Sequence, residues 1–353
     1  MNGSLTFDDY EKLIKNKEIK SLHFNKSRVQ PSSIDLTLSS ECYELKFSFL
    51  SPKGKIRNKL KTLSTKKHSL KNGLVFKKNR TYLVKLNEKL NLISPIIGKC
   101  NPKSSTGRLD IFCRTILDNS NEYEKIPFKY KGEMFIEITC KSFNIKFYEG
   151  DSLNQMRLAY NKNIYLNDQQ LKKINFKKKL CFTKRKVIFE NGLKLTIDLS
   201  NNKSICAYKS KTNAPLLDFS KNKFHKKNNY WIPIKPSNNT LVIEKNSFYI
   251  LKSKERICIP PNLAGEMIPY DTGIGDFRVH YAGFFDPGFG YPGGACAVLE
   301  VKTHEVSFII EDGQTIARIQ YEKLNKSPSM LYGQNINSNY QNQKLALSKH
   351  FKK

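Results

Sequence analysis

The chain has 353 residues and a formal net charge of +30. That length accommodates two domains with cores of their own, no apolar run approaches the ~18 residues that would span a bilayer, and the eight scattered cysteines form no paired framework. The charge is mostly Lys in an Asn- and Ile-rich background, which reads as a solvated surface attractive to anionic metabolites such as nucleotides and makes nucleic-acid binding the minor reading.

Asp8, Asp9 and Glu11 lie close behind Met1, so the start lacks the basic-then-apolar order of a signal peptide. A reduced, cytoplasmic protein is the expectation. Residues 6–20 predict a short helix, capped by Thr6 or Asp8 and burying Leu13 and Ile14. Short β-rich segments then dominate, at 33–38, 81–86, 135–139 and 144–147, and again at 193–199, 241–244, 248–251, 295–301 and 305–310. Gly, Pro, Asn and Ser break them, which predicts an all-β chain with a few short helices, built as two sandwich, barrel or jelly-roll domains.

The duplication is written in the sequence. Leu74, Val75, Lys78, Asn79, Tyr82, Lys85, Glu88, Gly98 and Pro102 each recur 167 residues later, as Leu241, Val242, Lys245, Asn246, Tyr249, Lys252, Glu255, Gly265 and Pro269. The spacing exceeds the 20–50 residues of solenoid repeats. It predicts an N-terminal domain over 1–160, a polar Lys-rich linker with a short helix over 161–185, a C-terminal domain over 186–330 and a tail over 331–353. The tail is rich in Asn, Gln and Tyr. That composition suits mobility, although its aromatic and amide side chains could also close over a ligand.

Polar chemistry gathers at two places. NPKSSTGR supplies Lys103, Ser104, Ser105, Gly107 and Arg108, a set able to bind phosphate through hydroxyls, a guanidinium fork and approachable backbone amides. An ordinary turn has the same composition. In GFFDPGFGYPGGACAVLE, Asp286 opens a tight turn and an apolar strand ends in Glu300. A carboxylate there either faces solvent or sits in a pocket whose burial raises its pKa, which would make a general acid/base. Glu137 follows Met134, Phe135 and Ile136 in the same way. His280 has apolar neighbours and reads as a core or pocket-wall histidine. No Cys or His pair has metal-ligand spacing, and the His-x-Glu and Pro-Cys-x-x-Cys pattern of zinc deaminases is absent.

These residues resemble the dCTP deaminase branch of the dUTPase-like superfamily, in its longer two-domain bacterial form. TFDDYEKLI and VQPSSIDLTL are similar to the family's first helix and strand, KSSTGRL to its phosphate motif with Lys103 in place of Arg, AGFFDPGF to its Asp-Pro-Gly segment, and ACAVLE to the strand carrying the catalytic Glu. The resemblance implies two tandem dUTPase-like β-barrel domains that deaminate dCTP to dUTP and ammonia without zinc. Lys103, Ser104, Ser105 and Arg108 would bind phosphate, Ala282 and Asp286 would contact the nucleoside, and Glu300, with Glu137, would be catalytic. Tyr332, Asn339 and Gln343 fall on a Tyr, Lys and Gln that close over the nucleotide, and Asn339 lacks the charge of the Lys. Mg²⁺ would arrive on the triphosphate.

Each copy departs from the family pattern in its own way. IPFKYKG stands where the first copy should have Asp-Pro-Gly, and PYDTGIGD stands where the second should have the phosphate motif. One composite site is therefore expected, within a chain or between chains of a trimer-based homo-oligomer. Diphosphatase or bifunctional activity giving dUMP, and a non-enzymatic nucleotide or nucleic-acid binder, are the alternatives.

Overall fold

The computed structural model describes all residues except 1, 23, 161–162, 201–203, 270–276, 280–282, 304, 335–337 and 353. It is mostly β-strand with four short α-helices among the described residues. The first helix, Phe7–Lys15, carries its capping box at Thr6 and Asp9 and buries Leu13, as the sequence predicts, but it ends five residues early. The polar stretch after residue 160 contains the helix Asp168–Lys177, capped by Asn167. A third helix, Ile56–Leu63, was not signalled by its Lys-rich sequence.

The two halves repeat one layout. In the first, a sheet runs Ser64–Ser69, Leu38–Leu45, Thr81–Asn91, Lys131–Cys140, Ile111–Leu117, and faces another ordered Ile34–Leu36, Asn154–Ala159, Ile97–Pro102, Lys125–Ile126. In the second, Trp231–Ile234, Ala207–Ser210, Phe248–Ile257, Ala295–Thr303 and Phe277–Val279 follow the first order, and Leu193–Thr196, Thr315–Lys323, Leu263–Pro269 and Phe284–Phe285 follow the second. All these pairings are antiparallel.

The repeated residues hold this scaffold. Glu88 accepts the N–H and hydroxyl of Thr37 at 2.8 and 2.9 Å, and Glu255 accepts those of Thr196 at 2.7 and 2.7 Å. The Tyr82 hydroxyl accepts from Lys77 N–H and the Tyr249 hydroxyl from Glu244 N–H. Asn79 and Asn246 both turn the chain at positive φ, 61° and 58°. A Cβ on Gly98 would come within 2.5 Å of Leu158, and one on Gly265 within 2.9 Å of Ile259.

The halves also interlock. The larger core cluster is built from the first copy but takes in Trp231, Phe248, Ile250 and Val298 of the second. Leu217–Asp218 pairs in parallel with Ile145–Phe147 across the copies. Arg157, on a first-copy strand, is buried between Glu266 and Glu322 on second-copy strands. The last residues do not follow the expectation of mobility. Ser348, His350 and Phe351 are buried, and Phe351 packs 5.3 Å from Tyr230 and 6.0 Å from Trp231 between ring centres.

Candidate active site

The phosphate-type motif folds as one helical turn, Ser104–Gly107, directly after the strand Ile97–Pro102. Lys103 N–H and the Thr106 hydroxyl both donate to Leu153 O, at 2.9 and 2.7 Å, which fixes the turn against the neighbouring strand. Lys103 pairs with Asp35, whose second carboxylate oxygen is buried without a partner. Arg108 is buried at the end of the turn.

The second copy brings its carboxylates to this turn. Asp286 follows the strand Phe284–Phe285 and is buried. First-copy residues hold it: Ser32 N–H donates to Oδ1 at 3.0 Å, with the Ser33 hydroxyl at 3.5 Å. Burial raises its pKa to about 7, against the pull of the Ser32 hydrogen bond. Glu300 is not at a strand end, as its sequence suggests. It lies inside Ala295–Thr303, opposite Ile250, and the strand runs on because both of its faces are buried. Burial lifts the Glu300 pKa from 4.5 to about 8, Arg108 pulling it down and Asp110 pushing it up. Two residues on, buried Lys302 pairs with Asp110 at 3.2 Å and so ties the strand to the end of the phosphate turn.

Gly107 makes the juxtaposition possible. A Cβ there would lie 2.4 Å from Glu300 Oε2. Gly107→Ala should therefore push the carboxylate aside while leaving the fold intact. Since a misplacement of about 1 Å can cost roughly 10²-fold in rate, the turnover assay described below, run beside thermal unfolding, should show that loss without a matching fall in stability. Undiminished turnover would refute the packing argument.

The tail completes the enclosure. Arg108 donates to Gln343 Oε1 at 2.7 Å and Ala346 O at 3.0 Å, and its guanidinium carbon lies 3.9 Å from the Tyr340 ring centre. Gln343 in turn donates to Cys296 O. Tyr332 N–H donates to Pro287 O, and its ring lies 5.7 Å from that of Phe289. A cavity of about 250 Å³ results. Lys103, Ser104, Ser105, Arg108, Asp286, Tyr332, Asn339 and Gln343 all line it, together with Asp35, Gln155, Tyr340 and Lys349, which sequence reasoning did not single out. A smaller space of about 10 Å³ shares Lys103, Ser104, Arg108, Phe285 and Gln343 with it and touches Glu300. Ala282 and His280 lie outside the described residues.

Glu137 is not brought to this cavity. It stands opposite Leu83, the register equivalent of Ile250, so it is the true counterpart of Glu300. Arg114 pairs with it at 2.6 Å and stacks 3.7 Å from the Tyr123 ring centre. Among the described residues no group of three or more His, Cys, Asp and Glu could hold a metal ion.

Sequence models of the 2'-deoxycytidine 5'-triphosphate deaminase family match both halves: its N-terminal domain over residues 1–162 and its C-terminal domain over 167–351. The crystal structure of 2'-deoxycytidine 5'-triphosphate deaminase from Agrobacterium tumefaciens superposes with a TM-score of 0.90 at 36% identity, covering 95% of this chain and 99% of that one. No curated protein sequence matches the chain.

Proposed function

The chain belongs to the 2'-deoxycytidine 5'-triphosphate deaminase family, and we propose that it hydrolyses dCTP to dUTP and ammonia in the cavity between its two halves, with Glu300 as the acid/base group. The observation that carries this is the placement of Glu300. Its carboxylate has a raised pKa, rests against the phosphate turn, and borders a space of about 10 Å³, the size of roughly one water.

The triphosphate would lie against Ser104, Ser105, Arg108 and Lys103, and Asp286 would hold the deoxyribose hydroxyl. Glu300 would take a proton from water as the hydroxide adds to C4 of cytosine, then return protons so that the C4–N bond breaks and ammonia leaves. General acid/base groups work best with a pKa near the operating pH. Glu137 has a different assignment: it pairs with Arg114 and is not among the residues lining the cavity, and we give it a structural role.

Mg²⁺ would travel with the phosphates, and the unpartnered buried oxygen of Asp35 suits its hydration shell. All eight cysteines are buried and unpaired, which fits reducing, cytoplasmic surroundings. A trimer-based homo-oligomer is the proposed assembly.

Incubation with dCTP and Mg²⁺, followed by chromatography and ammonia detection, tests the reaction. One ammonia per dUTP is expected. Formation of dUMP and pyrophosphate without ammonia would overturn it.

A further inference from the structure

The rim of the cavity carries a cation that no sequence motif announces. Lys349 lies four residues from the end of the chain and lines the cavity with Lys103, Ser104, Ser105 and Arg108. Its backbone is fixed from both sides. Lys349 N–H donates to the Tyr340 hydroxyl at 3.0 Å, and Lys349 O accepts from Lys223 N–H at 2.9 Å. Its neighbours are anchored as well: the Ser348 hydroxyl donates to Ser105 O at 2.8 Å, and His350 O accepts from Phe224 and His225 N–H groups at 3.0 Å each. The backbone of Lys349 is thus anchored beside the phosphate turn.

Its charge is poorly balanced there. Lys103 is paired with Asp35, whereas Lys349 makes no ion pair within 4.0 Å among the described residues. Burial, and then the nearby Lys103, lower its pKa, and Asp35 and Asp151 pull the other way. Asn339, on the same rim, has no charge to offer. A polyanion in the cavity would supply the missing counter-charge.

We propose that Lys349 binds the triphosphate as the third cation of the cradle, with Lys103 and Arg108, and so sets the preference for a nucleoside triphosphate over an unphosphorylated nucleoside. The assignment rests on reading the cavity as the dCTP site. Charge-assisted hydrogen bonds contribute about 1.5–3 kcal/mol, so Lys349→Ala should weaken dCTP binding by roughly tenfold or more.

Calorimetric titration of the protein with Lys349 intact, Lys349→Ala and Lys349→Arg with dCTP and with deoxycytidine, each carrying Glu300→Gln so that dCTP is bound and not turned over, tests it. The expected result is weaker dCTP binding by Lys349→Ala, unchanged deoxycytidine binding, and near-wild-type binding by Lys349→Arg. Equal weakening for both ligands would mean that the tail has merely come undocked, and no weakening for either would mean that the lysine is a bystander; each overturns the proposal. Binding is read without turnover, so a wild-type protein that binds dCTP but releases no ammonia would fault the deaminase reading and leave Lys349 in place.

Discussion

Glu300→Gln should cut ammonia release from dCTP by roughly 10²–10⁴-fold, the usual contribution of a positioned general acid/base, while dCTP binding changes little. Gln keeps the volume beside Gly107 and loses only the ability to take up a proton. The pH dependence sharpens the expectation. Glu300 holds its proton up to about pH 8 in the free protein, so wild-type kcat/KM should rise as pH climbs toward 8 and level above it. Residual activity of the variant should lack that limb. Stability runs the other way. A folded-state pKa raised above the unfolded value of 4.5 gives a contribution that is complete below about 4.5 and is lost as pH rises through 8. The wild type should therefore lose stability relative to Glu300→Gln across that window. Full turnover by the variant, or identical pH profiles, would remove Glu300 from the mechanism.

The scaffold was legible in the sequence because its residues do the same local work twice. Glu88 and Glu255, Tyr82 and Tyr249, and Asn79 and Asn246 each serve one turn or one strand neighbour, and such jobs repeat at a fixed offset. The phosphate turn and Asp286 were legible as motifs. Glu137 was harder: its register does match that of Glu300, but Arg114, six residues after Arg108 and unremarkable in IFCRTIL, engages its carboxylate. Gly107 reads as backbone freedom for phosphate, whereas its structural task is to leave room for Glu300 across the two copies. Lys349 is one of 61 Lys and Arg residues and gives no local signal. Gly107 and Glu300, and Lys349 and the phosphate turn, are more than a hundred positions apart in the sequence, and only the fold brings them together.

That docking has its own test. Arg157→Met should destabilise the protein by about 3–5 kcal/mol, the cost of leaving a buried charge network without its partner. Arg157 pairs with Glu266 at 2.9 Å and with Glu322, donates to Asn101 Oδ1 at 3.2 and 3.0 Å, and lies 4.3 Å from the Phe284 ring centre. Burial alone would raise the Glu266 pKa, but Arg157 and Lys99 together bring it to about 2. Its stabilising contribution is therefore present above the unfolded value of 4.5 and lost as pH falls toward 2. The gap between wild type and Arg157→Met, measured by chemical denaturation, should be widest near neutral pH and narrow over that range. Lys99→Met should cost far less, because half of the Lys99 side chain is in water. A deficit below about 1 kcal/mol at pH 7, the range of a surface ion pair, would show that the network does not hold the halves together. The consequence for activity follows from the geometry. Asp286 is two residues beyond the Phe284 ring on which Arg157 lies, and the Ser32 N–H that holds it belongs to the other copy. Loosening this junction should separate the carboxylates of one half from the phosphate turn of the other before either half loses its own core.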